Sequence, residues 1–367
     1  MFRLVMLVTD LEHCPDLLHT IGQMHPAEIF EHRDVAEADL KSADLVLVDV
    51  AEGSDAVLSG VRDALARAGN AASVGLVRGG NRRDKMQADA LGLGRIWSRT
   101  RPAKEALREI ELQFGSYTDV SLPAETPEQT SLSVQAMSAA LGECTLSVVT
   151  DTLLPLAQVA RAVDDTLEAF RLDGIDAWMS AVQMHHSHTY CHSMLVTGYA
   201  LAFADVLGLS KAERAFLGAA AMLHDVGKVY IPLSILDKPA KLTDEEFEII
   251  RQHPVRSREI LSAQPNISPE VIDIAVHHHE YLDGSGYPDR LKGDQISQSV
   301  RMLTICDIYA ALIEKRAYKP AYSPRQAYGV LVDMGPKIDQ SLLKIFRTVA
   351  FEVDKVATVK RKASATG

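Results

Sequence analysis

The chain has 367 residues, 47% of them hydrophobic and 24% charged, which is typical of a globular protein with room for two buried cores. Its formal net charge of -11 argues against general binding to nucleic acids or anionic membranes, because both attract basic surfaces. The 4 cysteines are far apart and no apolar run reaches the ~20 residues that span a bilayer, so we expect a cytoplasmic protein without disulfides, a thiolate zinc site or a membrane anchor.

Residues 1–115 alternate short apolar runs with amphipathic stretches, which predicts an α/β domain with a parallel sheet. The expected strands are 2–8, 44–50, 73–78 and 95–97. Asp49 ends the second of these runs, where a phosphate acceptor would lie. On this basis the segment resembles a response-regulator receiver domain.

A receiver also needs an acidic pair after its first strand, a hydroxyl side chain after its fourth and a lysine after its fifth. Here the dipeptide Thr-Asp, ending at Asp10, follows the first strand. The run 73–78, which corresponds to the fourth strand of a receiver, ends at Arg78, and Arg99 or Arg101 takes the lysine position. We therefore expect a degenerate receiver-like domain that dimerises or binds a signalling protein, with Asp10 and Asp49 as vestiges. Aspartyl phosphorylation is the alternative.

Segment 116–133 is rich in Ser, Thr, Pro and Glu and lacks apolar periodicity, so we predict a linker there. The pattern beyond it is helical, with connecting helices over 134–184, an all-α domain over 185–355 and a solvated tail over 356–367. Three capping-box pairs mark helix starts: Ser210 with Glu213, Thr243 with Glu246 and Ser323 with Gln326. Two prolines, Pro269 and Pro324, stand at the first helical position.

Of the 13 histidines, nine lie between His185 and His279. A single histidine on a helix is usually a core or surface residue, but here the surrounding pattern favours metal ligands. His224 and Asp225 end an apolar helix, where both groups are costly to bury unless a cation pairs with them. We expect Gly227 to leave that helix in a left-handed conformation.

Five further polar side chains occupy comparable positions. His253 precedes Pro254 where a helix must end, His278 and His279 close the next helix, and His192 and Asp307 lie inside apolar helices. The resulting seven nitrogen and oxygen ligands exceed the needs of one tetrahedral site and suit Fe, Mn or Zn better than Mg or Ca. Two metals bridged by one carboxylate, as used for in-line phosphoryl displacement, is the simplest interpretation.

Taken in order, the segments HSMLV, HDVGK, HP, HHE, DGSGYP and CDIYAALIEKRAYK resemble the HD-GYP subgroup of HD-domain phosphohydrolases over about residues 185–350. The resemblance implies an all-α HD domain and a cyclic di-GMP phosphodiesterase that forms pGpG and, by further hydrolysis, GMP. It also implies a centre of two or three metals, for which we expect two ions of Fe or Mn, with Zn or Ni as alternatives.

The resemblance also implies roles for single residues. One metal is bound by His192, His224 and Asp307, the second is bound by His253, His278 and His279, and Asp225 bridges the two. Lys228 matches the active-site lysine, whose charge can stabilise the transition state, with a contact to the helix end as the alternative.

Other positions match the substrate-binding part of the family. Arg316 and Lys319 correspond to residues that hold a substrate phosphate, with a solvated helix end as the alternative, and Arg301 is the next candidate. In the signature loop 283–288, Gly284 permits tight backbone geometry and Tyr287 contacts a base or a partner protein, although loop shape alone would also account for them.

The chain departs from the family pattern at several positions. Relatives with a third metal carry a Glu four residues before the first ligand histidine, and His188 stands there instead. We therefore predict two metals, with His188 as the residue to test for a third. The positions that carry Arg, Asp and Thr in the family are occupied by residues that would change substrate fit: Leu195, Ala310 and Ile313. Surface or supporting roles are expected for His185, His186 and His277.

Two other functions are compatible with these motifs. The enzyme would hydrolyse another cyclic dinucleotide or a nucleotide phosphate, because a fold does not set the base that is recognised. Alternatively, the protein would be a low-turnover cyclic di-GMP sensor or adaptor that contacts a partner through the Tyr287 loop or the receiver-like domain. A homodimer is compatible with either function.

Overall fold

The computed structural model describes residues 2–37, 40–51, 55–116, 118–185, 187–236, 238, 240–314 and 321–351. The chain divides into two compact units, which are described separately below. The first comprises Met1–Tyr117 with Pro232–Ser234, and the second comprises Thr118–Ile231 with Ile235–Gly367.

The first unit contains the predicted parallel α/β sheet, whose five strands have the order β2-β1-β3-β4-β5. The strands are β1 Leu4–Val8, β2 Ala27–Glu31, β3 Leu45–Asp49, β4 Ala72–Val77 and β5 Arg95–Ser98. The helices are α1 Asp16–Met24, α2 Asp55–Leu65, α3 Arg82–Ala90 and α4 Ala103–Phe114, with 3-10 turns at His32–Glu37 and Leu40–Ser42. In register, Leu4 of β1 pairs with Leu45 of β3 and with Ala27 of β2.

Strand β2 is absent from the strands predicted from sequence. It forms one edge of the sheet, and two of its five residues, Glu28 and Ile29, are exposed. The predicted central strands β1 and β3 are buried at every position. Hydrophobic runs therefore identify the inner strands, whereas an edge strand needs less apolar surface and leaves a weaker signal.

Within its described residues the second unit is helical, as predicted. Its helices are α5 Glu128–Val149, α6 Leu156–Asp173, α7 Ile175–Val182, α8 His188–Val206, α9 Lys211–Leu223, α11 Asp244–Ile250, α12 His253–Ser262, α13 Pro269–His277, α14 Gln298–Ile313 and α15 Pro324–Asp333, and the short α10 Leu233–Leu236 has its first two residues grouped with the first unit. Three 3-10 turns, Val226–Tyr230, Gly293–Gln295 and Gly335–Lys337, and a helical segment over 340–351 complete it. The predicted capping boxes at Ser210, Thr243 and Ser323 are confirmed.

Helix α5 begins at Glu128, so the last six residues of the predicted linker 116–133 are helical. The sequence pattern is misleading here because polar side chains occupy the buried face. Thr130 is fully buried and donates to Asp173 through its backbone N and its Oγ1, at 2.7 and 2.8 Å. Ser133, also fully buried, accepts a hydrogen bond from Trp178 Nε1 at 3.0 Å.

Among the described helices, α5 alone is long and apolar enough to cross a membrane by length and composition. Half of its most apolar window is buried inside the protein. A buried core helix passes the same test, and the buried polar contacts of Thr130 and Ser133 are those of a helix packed on protein.

The core of the second unit lies between helices α8 and α14. Fully buried aromatic side chains pack edge to face here, with Tyr199 and Tyr309 ring centroids 5.0 Å apart and Phe203 and Phe346 centroids 5.2 Å apart. These contacts hold α8, which carries His192, against α14, which carries Asp307. The packing thus fixes the relative position of two predicted metal ligands.

Candidate metal centre

The seven predicted metal ligands come from five helical regions and converge inside the second unit. His192 lies on α8, Asp307 on α14, and the others lie at helix ends: His224 and Asp225 after α9, His253 at the start of α12, and His278 and His279 after α13. Six of the seven are buried, with exposures of 0 to 6%, and the His279 side chain is 21% exposed. The centre therefore has one side that solvent reaches, at His279.

The first group of ligands consists of His192, His224 and Asp307, whose donor atoms lie within 4.8 Å of one another. Asp307 Oδ1 is 2.9 Å from His192 Nε2 and 3.9 Å from His224 Nε2. Two imidazole nitrogens thus face one carboxylate oxygen, which is a donor set suited to a transition metal.

The second group consists of His253, His278 and His279, again with donor atoms within 4.8 Å. His253 Nε2 lies 3.3 Å from His278 Nε2. Two lone pairs at this distance repel each other unless a proton or a cation lies between them, so the arrangement fits a shared metal ion.

Asp225 lies between the two groups and presents one oxygen to each. Its Oδ2 is 3.1 Å from His224 Nε2 and 3.7 Å from His192 Nε2. Its Oδ1 is 3.1 Å from His253 Nε2 and 3.8 Å from His278 Nε2. A carboxylate with its two oxygens directed at two separate ligand groups has the geometry of a metal bridge.

The electrostatics of the centre favour the metal-binding protonation states. Burial lowers the pKa of His278 and of His279, so both imidazoles are neutral near pH 7. Burial alone would raise the pKa of Asp307, but the hydrogen bond with His192 and the nearby imidazoles hold it below its ordinary value. Burial likewise opposes ionisation of Asp225, while His224 and Lys228 hold the pKa of this carboxyl well below its ordinary value. Burial lowers the pKa of His224, but the carboxylates of Asp225 and Asp307 outweigh this effect and raise it. The two buried carboxylates thus need compensating positive charge, which divalent metals would supply.

Helix ends orient three of the imidazole rings. The Nδ1 atoms of His224, His253 and His278 each bond the backbone carbonyl three residues earlier, at 2.6, 2.7 and 2.9 Å. These carbonyls, of Ala221, Ile250 and Ala275, lie in the last turns of α9, α11 and α13, where helix carbonyls lack helical partners. With Nδ1 donating to the helix end, Nε2 of each ring is left as the ligand atom.

Gly227 does not adopt the predicted left-handed conformation; it lies in the 3-10 turn Val226–Tyr230. Its role is close packing, because an added Cβ would lie 2.0 Å from the His253 carbonyl oxygen and 2.6 Å from Ser257 N. Ser257 Oγ accepts a hydrogen bond from Gly227 N at 2.9 Å and donates to the His224 carbonyl at 3.2 Å. The glycine thus lets α12 approach the His224–Asp225 pair and brings His253 to Asp225.

Lys228 lies beside the bridge at the edge of the centre. Its ammonium donates to Asp225 Oδ2, and its side chain is 19% exposed. The charge therefore lies between the buried ligands and solvent, where a substrate phosphate would approach.

Tyr287 of the signature loop covers a predicted ligand. Its ring stacks on His279 with centroids 4.8 Å apart and an interplanar angle of 26°. The guanidinium carbon of Arg251 lies 4.7 Å from the centroid of the same tyrosine ring. Gly284 has a φ of +79°, as the prediction of tight geometry requires. The observed contact of Tyr287 is with the metal-ligand group, and its contact with a base or a partner protein stays a prediction.

Glu280 is a site-supporting residue that the sequence analysis did not identify. It is 2% exposed and accepts hydrogen bonds from Asp289 N at 2.6 Å and Leu291 N at 3.1 Å. It therefore anchors the signature loop beside His279. Its signal in the sequence is its place directly after the His-His pair.

The proposed substrate-binding arginine Arg301 is engaged elsewhere. Its guanidinium donates to the carbonyls of Ile296 and Gly293 at 2.8 and 3.0 Å and to Asp339 at 3.2 Å. Through these contacts Arg301 holds the segment 293–296, which precedes α14. Its guanidinium is therefore already occupied, and the geometry does not support the predicted phosphate contact. Arg316, Lys319 and His186 lie outside the described residues.

His188 belongs to neither group of three ligands. Its Nδ1 is 3.2 Å from Oε1 of Glu314, a 3% exposed residue that caps the C-terminus of α14. His185 and His277 also have polar contacts outside the two groups: His185 with Ser138 at 2.8 Å, and His277 with Asp273 at 2.7 Å and Asp289 at 3.0 Å.

In the first unit, the receiver-like acidic residues have separate partners. Asp49 is 1% exposed and pairs with Arg99, whose Nε donates to Oδ1 at 2.9 Å and whose second nitrogen binds Oδ2. Asp10 pairs with His13 at 2.6 Å. Arg99 follows β5, so it is the arginine that stands where a receiver has its lysine, and it neutralises the candidate phosphate acceptor directly.

Comparison with known proteins supports the assignment of the second unit. Residues 176–342 match the family model described as the HD domain. The chain is 30% identical over 262 residues to a cyclic di-GMP phosphodiesterase of Pseudomonas aeruginosa, which covers 68% of this chain and 63% of that protein. It is 34% identical over 226 residues to the cyclic di-GMP phosphodiesterase response regulator RpfG of Xanthomonas campestris, which covers 61% of this chain and 54% of the relative.

A further relative is a 3'3'-cGAMP-specific phosphodiesterase of Vibrio cholerae, 41% identical over 148 residues, or 40% of this chain and 28% of that protein. The chain thus spans less than two thirds of the length of each of these relatives. Among solved structures, an HDG"Y"P protein from Bdellovibrio bacteriovorus shares the fold, with a TM-score of 0.50 at 13% identity over 73% of this chain and 81% of that chain. The resemblance to the HD-GYP subgroup is confirmed by the match of residues 176–342 to the HD domain model and by relatives named as cyclic di-GMP phosphodiesterases.

Proposed function

We propose that the second unit is a metal-dependent phosphodiesterase that hydrolyses cyclic di-GMP to pGpG, with GMP as the product of a second hydrolysis. The observation that carries the proposal is the position of Asp225, which directs one carboxylate oxygen at each of two groups of three ligands. Related phosphodiesterases that are named for cyclic di-GMP support the choice of substrate.

The ligand groups fit two transition-metal ions per chain. His192, His224 and Asp307 would hold one ion, His253, His278 and His279 the other, and Asp225 both. Mixed imidazole and carboxylate donors favour Fe or Mn, with Zn or Ni as alternatives. When bound, such a pair of ions activates water and stabilises the attacking and leaving oxygens of an in-line displacement at phosphorus.

The side chains around the ligands would bind and orient the substrate. Lys228 places a positive charge at the solvent side of Asp225, where it stabilises the charge that develops on the phosphoryl oxygens. Arg316 and Lys319 would hold the distal phosphate, and Tyr287, beside the exposed edge of His279, would contact a base. The Gly284 turn keeps this loop in place.

The first unit would act as a receiver-like regulatory or dimerising domain. The guanidinium of Arg99 occupies both oxygens of Asp49, which supports a role that does not depend on aspartyl phosphorylation. A signalling protein or a second copy of the chain would bind through this unit.

A second candidate function is hydrolysis of 3'3'-cGAMP. It is favoured by the relative specific for that substrate, which is 41% identical to this chain over 148 residues. Leu195 on α8 and Ala310 on α14, which replace polar residues of the family pattern, are both fully buried. A low-turnover sensor would have the same binding properties without product formation.

One experiment separates these functions. Protein purified without oxygen is assayed for metal content and for hydrolysis of cyclic di-GMP, 3'3'-cGAMP and cyclic di-AMP, beside an Asp307→Ala variant. We expect two metals per chain and pGpG as the first product, both reduced in the variant. Preferred turnover of 3'3'-cGAMP would establish the second candidate, and tight binding of cyclic di-GMP without product would indicate a sensor. Wild-type protein that neither binds metal nor hydrolyses a dinucleotide would refute the proposal.

A further inference from the structure

The environment of His192 differs from that of three other ligand histidines in one respect. The rings of His224, His253 and His278 each use Nδ1 to bond a carbonyl at a helix end. His192 lies inside α8, where the nearby carbonyls already accept hydrogen bonds from helix N–H groups. Among the described residues, none accepts a hydrogen bond from its buried Nδ1. This ring therefore lacks the helix-end hydrogen bond that orients those three rings.

Glu314 is the carboxylate that faces this nitrogen. Its Oε2 lies 3.9 Å from His192 Nδ1, and among the described residues no other carboxylate lies within 4 Å of that atom. Glu314 is 3% exposed and caps α14, the helix that also carries Asp307. A carboxylate this deeply buried needs polar partners, and imidazole nitrogens are suitable ones.

His188 contacts the other oxygen of the same carboxylate. Its Nδ1 is 3.2 Å from Glu314 Oε1, and it precedes His192 by four residues, so the two imidazoles lie on the same face of α8. One carboxylate thus faces two imidazoles that lie one helical turn apart.

We propose that Glu314 is the positioning residue of His192. In the metal-loaded protein this carboxylate, now 3.9 Å away, would accept a hydrogen bond from Nδ1–H and so fix the tautomer in which Nε2 is the ligand atom. His188 holds the second oxygen of Glu314 and so fixes the direction of the carboxylate. The inference rests on the proposed metal centre, because it assigns a role to a residue behind one of its ligands.

The same geometry has a competing interpretation, in which His188 and Glu314 are themselves ligands of a third metal ion. The two interpretations differ in what the loss of Glu314 removes. A positioning residue changes the affinity of an existing site and leaves the number of sites unchanged. A ligand of a third ion removes one equivalent of metal.

The test is a metal titration of the metal-free full-length protein. Cobalt(II) is added in competition with a chelator, and affinity, stoichiometry and the visible spectrum are recorded for wild type, Glu314→Gln, Glu314→Ala and His188→Gln. Glu259→Gln is the matched control, because Glu259 is a half-exposed carboxylate of the same unit that pairs with Arg256. Thermal unfolding of each variant establishes that it is folded.

We expect both Glu314 variants to weaken one of two sites by about 10- to 100-fold and to shift its cobalt spectrum, with unchanged stoichiometry at saturating metal. His188→Gln should have a smaller effect in the same direction, and Glu259→Gln should match wild type. Unchanged affinity and spectrum in both Glu314 variants would overturn the inference, as would loss of a whole equivalent of metal. If the wild-type protein binds no cobalt, the proposed metal centre is wrong and this inference fails with it. If the wild-type protein binds cobalt and Glu314→Gln binds it equally well, only this inference fails.

Discussion

Replacement of Asp225 by alanine tests the two-metal interpretation most directly. The residue is 5% exposed, and its two oxygens lie 3.1 Å from His224 Nε2 and His253 Nε2, one in each ligand group. Removing one partner of a buried ionic pair costs about 3 to 5 kcal/mol. At about 1.4 kcal/mol per factor of ten, this corresponds to roughly a hundredfold to several thousandfold weaker metal binding. Because the carboxylate serves both groups, we expect at least one metal to be lost and hydrolysis to be abolished.

The assay combines elemental analysis of anaerobically prepared, desalted protein with turnover of cyclic di-GMP. Asp225→Asn keeps the size of the side chain and one carbonyl oxygen, so it should retain more metal than Asp225→Ala and still lose hydrolysis. Asp333→Ala, at an exposed carboxylate at the end of α15, is the control for loss of a charge and should match wild type. Two metals per chain and full activity in Asp225→Ala would refute the bridge.

Four further outcomes follow from the structure. Lys228→Ala should slow hydrolysis while metal content measured by elemental analysis stays unchanged, because its ammonium contacts Asp225 but belongs to neither ligand group. Gly227→Ala should lower the free energy of unfolding by about 1 to 3 kcal/mol and reduce metal content, because the added Cβ would overlap the His253 carbonyl. The control in the same thermal denaturation experiment is Gly329→Ala, where the added carbon has open space. Incubation with a phosphodonor and Mg should give no phosphoryl adduct on Asp49 by intact-mass measurement, since Arg99 occupies its carboxylate. Burial lowers the pKa of His25 to about 4, so below pH 6.5 the unfolded chain takes up a proton that the folded first unit does not. The free energy of unfolding should therefore fall by up to about 1.4 kcal/mol per pH unit from pH 6.5 toward 4. Denaturation measured across this pH range should show a smaller fall in His25→Phe.

The parts of the fold that are predictable from sequence are those in which burial follows a regular period. The apolar runs of β1 and β3 are buried at every residue, and the capping boxes at Ser210, Thr243 and Ser323 depend on contacts within four residues. Strand β2 and the start of α5 are missed for opposite reasons. The edge strand leaves Ile29 exposed, and α5 buries Thr130 on its inner face through a hydrogen bond to Asp173.

The side chains that cluster in the candidate site are predictable because helix ends and buried charges leave local signals. A histidine in the last turn of a helix can bond a carbonyl there, as His224 and His278 do, and this directs Nε2 away from the helix. The function of Gly227 is not local in this sense. Its constraint comes from Ser257 and the His253 carbonyl on another helix, so a sequence pattern that assigns the glycine to a helix end gives the wrong backbone conformation.

His188 and Glu314 show a second limit of position-by-position comparison. The sequence places a histidine where related proteins carry a glutamate, which predicts the loss of a carboxylate next to His192. In the structure a carboxylate does lie beside His188, and it belongs to Glu314, 126 positions further along the chain. An isolated acidic residue at a helix end carries no signal of such a contact, because its meaning depends on the packing of α14 against α8. A substitution at one ligand-adjacent position is therefore interpretable only together with the residues that face it in space.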